Sequence, residues 1–155
     1  ETIIRIGSAG SYVARLEVKD LVLADSAFSD SSYAKVHNGE ESHVLYPTPR
    51  INEVIEQTAK DLGLDCHLGR VYSSDVFYGG PDSPTWEQLR DHTESDCVEM
   101  ESFALFQNAK VLGKGAACLL TISDSFVSKK ALSAEERQES FLEMLRLAVE
   151  AAIRL

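Results

Sequence analysis

The sequence predicts an α/β sandwich, in which helices cover both faces of a central sheet. Runs rich in β-branched residues alternate along the chain with segments whose apolar residues recur at helical spacing. One strand-like run, Ala116–Ile122, is almost continuously apolar, which is typical of a strand buried on both faces. The chain of 155 residues, 44% of them hydrophobic, is long enough for one core. We therefore expect a single domain over residues 1–155.

The first half of the chain is predicted to contain three strands and one helix. The strands are Glu1–Ile6, Leu21–Phe28 and Cys66–Ser73. The glycines of Gly7–Gly10 predict a tight turn after the first strand, and the polar composition of Ser29–His43 predicts a loop. The helix is predicted between Thr48 and Gly63, because Pro49 suits a first turn and glycine suits a helix end.

The second half is predicted to continue the alternation. A short helix is expected over Pro84–His92, and Cys97–Met100 is expected to be a strand that runs into a helix ending at Gly113. Ser133–Glu136 has the sequence of a capping box, which predicts the start of a long last helix. The side of that helix that faces the core is predicted to carry Phe141, Leu145, Ala148, Val149, Ala152 and Ile153.

Composition and charge exclude several classes of protein. A formal charge of -10 would repel a nucleic-acid backbone, so no polynucleotide partner is expected. The sequence has neither a signal-peptide pattern nor an apolar run long enough to cross a bilayer, so no membrane partner is expected. Its three cysteines form no C-x-x-C pair and predict buried, reduced thiols, hence a cytoplasmic location. The four histidines lack the spacing of ligands, so no metal site is expected.

The first pattern that could carry chemistry is Arg5-x-Gly7-Ser8-x-Gly10. Glycines let a backbone turn its N–H groups inward, and an arginine with a serine hydroxyl would complete a pocket for an oxyanion. A glycine turn with a surface arginine explains the same residues, and this motif alone does not separate the two interpretations.

The second pattern is Val98-Glu99-Met100-Glu101. In a strand, the two-residue period puts both carboxylates on one face. Paired carboxylates accept hydrogen bonds from two neighbouring hydroxyls, such as a sugar diol, while a methionine packs against a ring or a sugar face. The alternative is the solvent-facing side of a half-buried strand.

The third pattern, Thr121–Asp124, follows the most apolar predicted strand. Ligands of open α/β sheets bind outside the carboxyl ends of the strands, and partial withdrawal from water favours the protonated form of an acid. Asp124 is therefore a candidate general acid, with the capping of a turn as its alternative. Phe77 and Tyr78 are candidates for an aromatic wall against a planar base, or for core residues.

Taken in this order, the motifs resemble those of the hexameric, bacterial-type purine nucleoside phosphorylases. The matching segments are Ile3–Gly10, Asp75–Tyr78, Val98–Glu101, Ser123–Asp124 and Ala134–Gln138. The resemblance implies a three-layer α/β/α sandwich around a mixed, twisted central sheet, and phosphorolysis of purine nucleosides to base and (deoxy)ribose 1-phosphate. It also implies a homo-oligomer, a hexamer built as a trimer of dimers, with inorganic phosphate as a co-substrate and no cofactor. Family chains are longer at the N-terminal end, so residues 1–155 are expected to be the C-terminal two-thirds of the fold.

The resemblance further implies a role for each matching residue. The implied phosphate ligands are Arg5 and Ser8, the ribose ligands are Glu99, Met100 and Glu101, and the base ligands are Phe77, Val98, Ser123 and Gly10. Asp124 would protonate the purine at N7, and Arg137 would assist it. Because an arginine beside Asp124 opposes protonation, we predict that Arg137 closes on Asp124 only as the proton leaves.

Two alternatives to a phosphorylase stay open at this point. A nucleosidase of the same fold would activate water instead of phosphate, although such enzymes usually lack an arginine where Arg5 stands. A truncated, non-catalytic binding or assembly module would keep the fold without turnover. Ser125 stands where many relatives have a histidine, so the preferred purine base is left open.

Overall fold

The computed structural model of the protein describes residues 1–77 and 79–155. Within these residues the chain forms six strands and five helices. The strands are β1 (Thr2–Ser11), β2 (Leu21–Phe28), β3 (Val44–Leu45), β4 (Cys66–Ser73), β5 (Cys97–Glu99) and β6 (Gly115–Ser125). The helices are α1 (Tyr33–Asn38), α2 (Pro49–Leu62), α3 (Trp86–Thr93), α4 (Ser102–Leu112) and α5 (Ala134–Arg154). The predicted alternation of strands and helices is confirmed.

The strands form one mixed sheet that curls until β6, at one end of the strand order, also pairs with β2. Their order is β3-β2-β4-β5-β1-β6. β1 runs parallel to β6 and antiparallel to β5, and β2 runs parallel to β4. Over Leu21–Leu23, β2 also pairs with β6, which joins the two sides of the sheet. The predicted mixed sheet is confirmed, and the pairing of β2 with β6 closes it.

Helices cover both faces of the sheet, as a three-layer sandwich requires. Ile55 of α2 and Leu147 of α5 belong to the core cluster on one face, and Phe103 and Phe106 of α4 belong to the cluster on the other. Between them, every residue of Ala116–Ile122 is at most 1% exposed, as predicted for a strand covered on both sides. Full burial of a large apolar side chain contributes about 1.5–3 kcal/mol, so these two clusters are the main source of stability.

β1 is longer than the sequence predicted. The turn predicted at Gly7–Gly10 is wrong, because β6 runs beside β1 and pairs with it along its whole length, to Ser11. A shift of register after Ala9 brings Gly10 opposite Asp124. On its other edge β1 pairs only at its last two residues, with β5, so in the described part of the chain that edge is open up to Ala9.

Two predicted boundaries also differ from the structure. The loop predicted over Ser29–His43 contains the short helix α1. The helix predicted from Pro84 begins instead at Trp86, because the Thr85 side chain and the Gln88 side chain form a reciprocal capping box.

α5 turns a different side towards the core from the one predicted. Its buried residues are Met144, Leu147, Ala148 and Ala151. Three residues of the predicted stripe, Leu145, Val149 and Ile153, are 40%, 57% and 76% exposed, so that part of the prediction is wrong. Apolar residues occur on nearly every side of this helix, and helical spacing alone does not decide which stripe faces the sheet. Leu145 and Val149 border a surface groove of about 290 Å³ that β1 also lines.

Candidate active site

Three strands bring predicted site residues side by side. Gly10 of β1 lies between Val98 of β5 and Asp124 of β6. Neighbouring strands are about 4.8 Å apart, so the Cα atoms of Val98 and Asp124 are separated by roughly 10 Å. Two of the predicted base ligands and the candidate acid therefore share one end of the sheet.

Gly10 leaves room for the candidate acid. A Cβ atom at Gly10 would lie 2.7 Å from Cε2 of Phe126 and 2.8 Å from Oδ2 of Asp124. Carbon atoms in contact are normally about 3.5–4.0 Å apart, so neither approach is tolerable without movement. Glycine at this position lets an aromatic ring and the carboxyl group close over the strand.

The Arg5 guanidinium lies back over its own strand. A Cβ atom at Gly7 would be 2.5 Å from Nη1 of Arg5, so a larger residue at this position would push the guanidinium aside. Nη2 of Arg5 is 3.2 Å from Oε2 of Glu99 and also pairs with Oε2 of Glu101. Nη1 faces Sγ of Cys118 at 3.8 Å, a thiol that is neutral because burial raises its pKa to about 12. Burial by itself would lower the pKa of Arg5, but the negative groups around it outweigh burial and raise that pKa.

The two carboxylates around Arg5 have different surroundings. The Glu99 side chain is only 2% exposed. It accepts hydrogen bonds from the backbone N–H of Glu101 at 2.9 Å, the backbone N–H of Ser102 at 3.1 Å and Oγ of Ser102 at 2.6 Å. Glu99 therefore satisfies the free N–H groups at the start of α4. The Glu101 side chain is 60% exposed and its contact with Arg5 faces solvent.

The strand geometry predicted for the acidic motif is wrong in one respect. β5 ends at Glu99, and Glu101 occupies the position before the first residue of α4. The chain turns there because Glu99 takes the N–H groups of the residues that follow it. Both carboxylates nevertheless meet, at Arg5. Val98 is half-buried and Met100 is 37% exposed beside them.

Ser8 is separated from Arg5 by the alternation of the strand. It is exposed and lies opposite Thr121 in the ladder between β1 and β6. Successive side chains of a strand point to opposite faces, so Ser8 and Arg5 leave β1 on opposite sides. One ligand can reach both residues only around the open edge of β1.

Asp124 and Arg137 lie on the two ends of a short connection. Oδ1 of Asp124 accepts a hydrogen bond of 2.8 Å from Oγ of Ser123. Nε of Arg137 donates to the carbonyl of Leu132 at 3.3 Å, and Leu132 N–H donates in turn to the Ser123 carbonyl at 2.8 Å. Among the residues that the structure describes, Arg137 forms no ion pair with Asp124. The following turn is held by another residue, Ser125, whose Oγ accepts from the N–H of Ser128.

An aromatic cluster beside Asp124 was not predictable from the sequence. The ring of Phe126 is 5.3 Å from that of Tyr12 and 6.2 Å from that of Trp86, and Arg90 lies over Trp86 at 5.5 Å. These residues are far apart in the chain, and no local pattern links them. Of the predicted aromatic wall, Phe77 is 73% exposed and Tyr78 lies outside the described residues.

The described residues contain neither a cluster of metal ligands nor a helix that could span a membrane. Over 1–77 and 79–155, no group of three or more His, Cys, Asp and Glu side chains has the arrangement of a metal site. Within the same ranges, every helix is too short or too polar to span a membrane.

Comparison with known proteins defines the class. The chain belongs to the phosphorylase superfamily, whose sequence model matches residues 1–155. Among curated relatives, it is 45% identical over 152 residues to a DeoD-type purine nucleoside phosphorylase of Mycoplasma genitalium, covering 97% of this chain and 63% of the relative. It is 38% identical over 156 residues to the DeoD-type enzyme of Mycoplasma pneumoniae, covering 99% of this chain and 65% of the relative. The chain thus spans less than two thirds of the length of these relatives.

Solved structures show the same fold. A purine nucleoside phosphorylase from Toxoplasma gondii, in complex with immucillin-H, superposes with a TM-score of 0.84 at 19% identity, over 97% of this chain and 62% of that one. A 5'-methylthioadenosine/S-adenosyl homocysteine nucleosidase from Campylobacter jejuni superposes with a TM-score of 0.87 at 18% identity, over 99% of this chain and 69% of that one. The predicted α/β fold is confirmed by both.

Proposed function

We propose that the protein cleaves purine nucleosides with inorganic phosphate, releasing the free base and (deoxy)ribose 1-phosphate for purine salvage. The observation that carries the proposal is the arrangement along β1. Arg5 with its carboxylates lies within the first half of the strand, and Asp124 faces Gly10 near its end. Five residues of strand span roughly 16 Å, and the Arg5 side chain folds back over Gly7 to shorten that distance.

The chemistry of glycosidic cleavage needs two such groups, one for the sugar and one for the base. Breaking the bond leaves positive charge on the sugar and negative charge on the base. A phosphate held by Arg5 and Ser8 stabilises the sugar, and an acid at Asp124 protonates the base at N7. The names of the curated relatives, all DeoD-type purine nucleoside phosphorylases, support this assignment.

The remaining residues complete the substrate site. Glu101 has the exposed carboxylate that a ribose diol requires, with Met100 against the sugar and Glu99 behind both. The base ligands are proposed to be Phe77, Val98, Ser123 and Gly10.

Arg137 is proposed to act late in the reaction. Its guanidinium is held on the Leu132 carbonyl and makes no ion pair with Asp124 in the described residues. This arrangement supports a role for Arg137 that begins only when its guanidinium leaves the Leu132 carbonyl and moves towards Asp124. A small movement at the start of α5 would then bring Arg137 to Asp124 as the proton leaves.

The wider properties of the protein are proposals of the same kind. We infer one domain over residues 1–155, a homo-oligomer that is a hexamer arranged as a trimer of dimers, and no cofactor beyond phosphate as co-substrate. The three cysteines are free thiols, two of them buried, which supports a cytoplasmic location.

The test is the release of hypoxanthine from inosine by the full-length protein, measured with and without phosphate. A phosphorylase releases hypoxanthine only with phosphate, a nucleosidase releases it without phosphate, and a non-catalytic module releases none. Asp124→Asn should abolish most of the phosphate-dependent rate. Asp65→Asn is the matched control: Asp65 is exposed and directly precedes β4, so this variant should leave the rate unchanged.

A further inference from the structure

The two carboxylates that share Arg5 differ in how firmly they are held. Glu99 is buried and bound by three hydrogen bonds from the residues that begin α4. Glu101 is largely in solvent, and its carboxylate has Arg5 as its only side-chain partner in the described chain. Glu99 is therefore a fixed neighbour of Arg5, whereas Glu101 can leave at small cost, because an exposed ion pair contributes little to stability.

This arrangement opposes the binding of an anion at Arg5. Both carboxylates use the same nitrogen of Arg5, Nη2, and together they carry twice the charge of the guanidinium. A phosphate dianion that approaches Arg5 therefore meets a site of net negative charge, in a protein whose formal charge is already -10. Release of Glu101 would leave Arg5 with one carboxylate and free one of its donors for the phosphate.

Resting on the proposed function, we propose that Glu101 exchanges Arg5 for the ribose diol, so that nucleoside binding releases Arg5 to phosphate and the two substrates tighten each other's binding. Glu99 is the positioning residue in this exchange. It keeps the guanidinium over Gly7 while Glu101 changes partners.

The exchange has a reciprocal signature. If the nucleoside tightens the anion, the anion must tighten the nucleoside by the same factor. Couplings of this kind are typically about 5–150-fold, well within the range of a titration. The coupling must depend on the sugar hydroxyls, because they are what Glu101 would accept in place of Arg5.

The experiment measures the affinity of sulfate, a dianion that cannot replace phosphate in the reaction. Calorimetric titrations of the full-length protein are made alone, with saturating inosine, and with saturating 2',3'-dideoxyinosine, which carries the same base without the diol. The variants are Glu101→Gln, which keeps the shape of the side chain, and Glu53→Gln, an exposed control that changes the net charge equally.

We expect inosine to tighten sulfate binding at least about 5-fold in the unchanged protein and in Glu53→Gln, and dideoxyinosine to tighten it less than about 2-fold. Without nucleoside, Glu101→Gln should bind sulfate more tightly than the unchanged protein does. Inosine at concentrations that saturate the variant should change its sulfate affinity little. Equal effects of inosine and dideoxyinosine, or an unchanged response in Glu101→Gln, would overturn the exchange.

Failure of the exchange and failure of the proposed function can be told apart. If the unchanged protein releases hypoxanthine only with phosphate but inosine does not change its sulfate affinity, the exchange is wrong and the proposed phosphorylase function is retained. If hypoxanthine release does not need phosphate, the proposed function itself is wrong.

Discussion

Replacing Glu99 by glutamine isolates the contribution of one buried charge to stability. The side chain keeps its size, but a carboxylate oxygen becomes an NH₂ group that cannot accept a hydrogen bond. Three hydrogen bonds and the 3.2 Å contact with Arg5 converge on this carboxylate. Hydrogen bonds to a charged group contribute about 1.5–3 kcal/mol, so we expect Glu99→Gln to lower the free energy of unfolding by about 2–3 kcal/mol.

The neighbouring Glu101 provides a matched control. Glu101→Gln is the same chemical change two positions along the chain, at a side chain that is 60% exposed. An exposed ion pair contributes about 0–1 kcal/mol, so this variant should lose much less stability than Glu99→Gln. For a chain of this length, Glu99→Gln should lower Tm by roughly 4–12 °C. Glu101→Gln should lower it by at most about 4 °C.

Urea unfolding followed by far-ultraviolet circular dichroism measures both losses. The unfolding midpoint should fall in Glu99→Gln while the denaturant slope stays constant, which shows that the variant unfolds from the same compact state. Equal losses in the two variants would refute the reasoning, because Glu99 is expected to contribute more through its burial and its hydrogen bonds at the start of α4.

Four further predictions test other parts of the structure. Gly10→Ala should destabilise the protein by about 1–3 kcal/mol through overpacking and lower kcat by displacing Asp124. Arg137→Ala should lower kcat far more than it weakens nucleoside binding, if the residue acts only as the proton leaves. Burial raises the pKa of Cys118 to about 12 from an ordinary 9.0, so its contribution to stability is complete below pH 9.0 and declines as the pH rises towards 12. Urea unfolding at several pH values should therefore show a shallower decline in Cys118→Ala. Trp86, the one tryptophan, should change its fluorescence when hypoxanthine binds, since its ring adjoins the cluster beside the acid.

Each of these predictions has a control or an outcome against it. Gly80→Ala adds a methyl group where, its chain neighbours aside, no atom of the described residues lies within 4 Å, and a loss equal to that of Gly10→Ala would contradict the packing argument. Arg50→Ala removes an exposed arginine from α2 and should leave kcat unchanged. If the free energy of unfolding declines equally steeply with rising pH in Cys118→Ala, the decline is due to other groups. If the fluorescence of Trp86 does not change at saturating hypoxanthine, Trp86 does not lie near the base site.

Local signals in the sequence predicted the parts of the fold that local chemistry decides. Gly63 ends α2 in the left-handed region, at φ 67°, and Ser133 forms its capping box with Glu136, as their sequence positions indicated. The apolar run Ala116–Ile122 predicted a strand covered on both faces for a similar reason. In each case neighbouring residues carry the whole explanation.

Contacts between distant segments decided the parts that were predicted wrongly. Gly7 and Gly10 look like a turn in the sequence, but both lie in a continuous strand, where Arg5 of the same strand covers Gly7 and a distant segment covers Gly10. The cover over Gly10 comes from Phe126, more than a hundred positions away. On α5, the apolar residues on several sides left the choice of buried face to the sheet.

The candidate site shows the same division. Glu99 and Glu101 stood out as a pair from their spacing, and both do contact Arg5. Their different burial depends on where β5 ends and α4 begins, which a two-residue period does not contain. The separation of Arg5 and Ser8 across β1 likewise followed only once the strand was known to continue.

The pairing of β2 with β6 has a consequence for how the protein acquires its structure. Leu21 meets Thr121 about a hundred residues later in the chain, so the closing ladder has one of the longest sequence separations in the fold. Closing such a long loop costs more conformational entropy than forming a hairpin, and it slows folding. On a ribosome, this ladder can form only after residues up to Thr121 have emerged, so the strand that carries Asp124 joins the others late in synthesis.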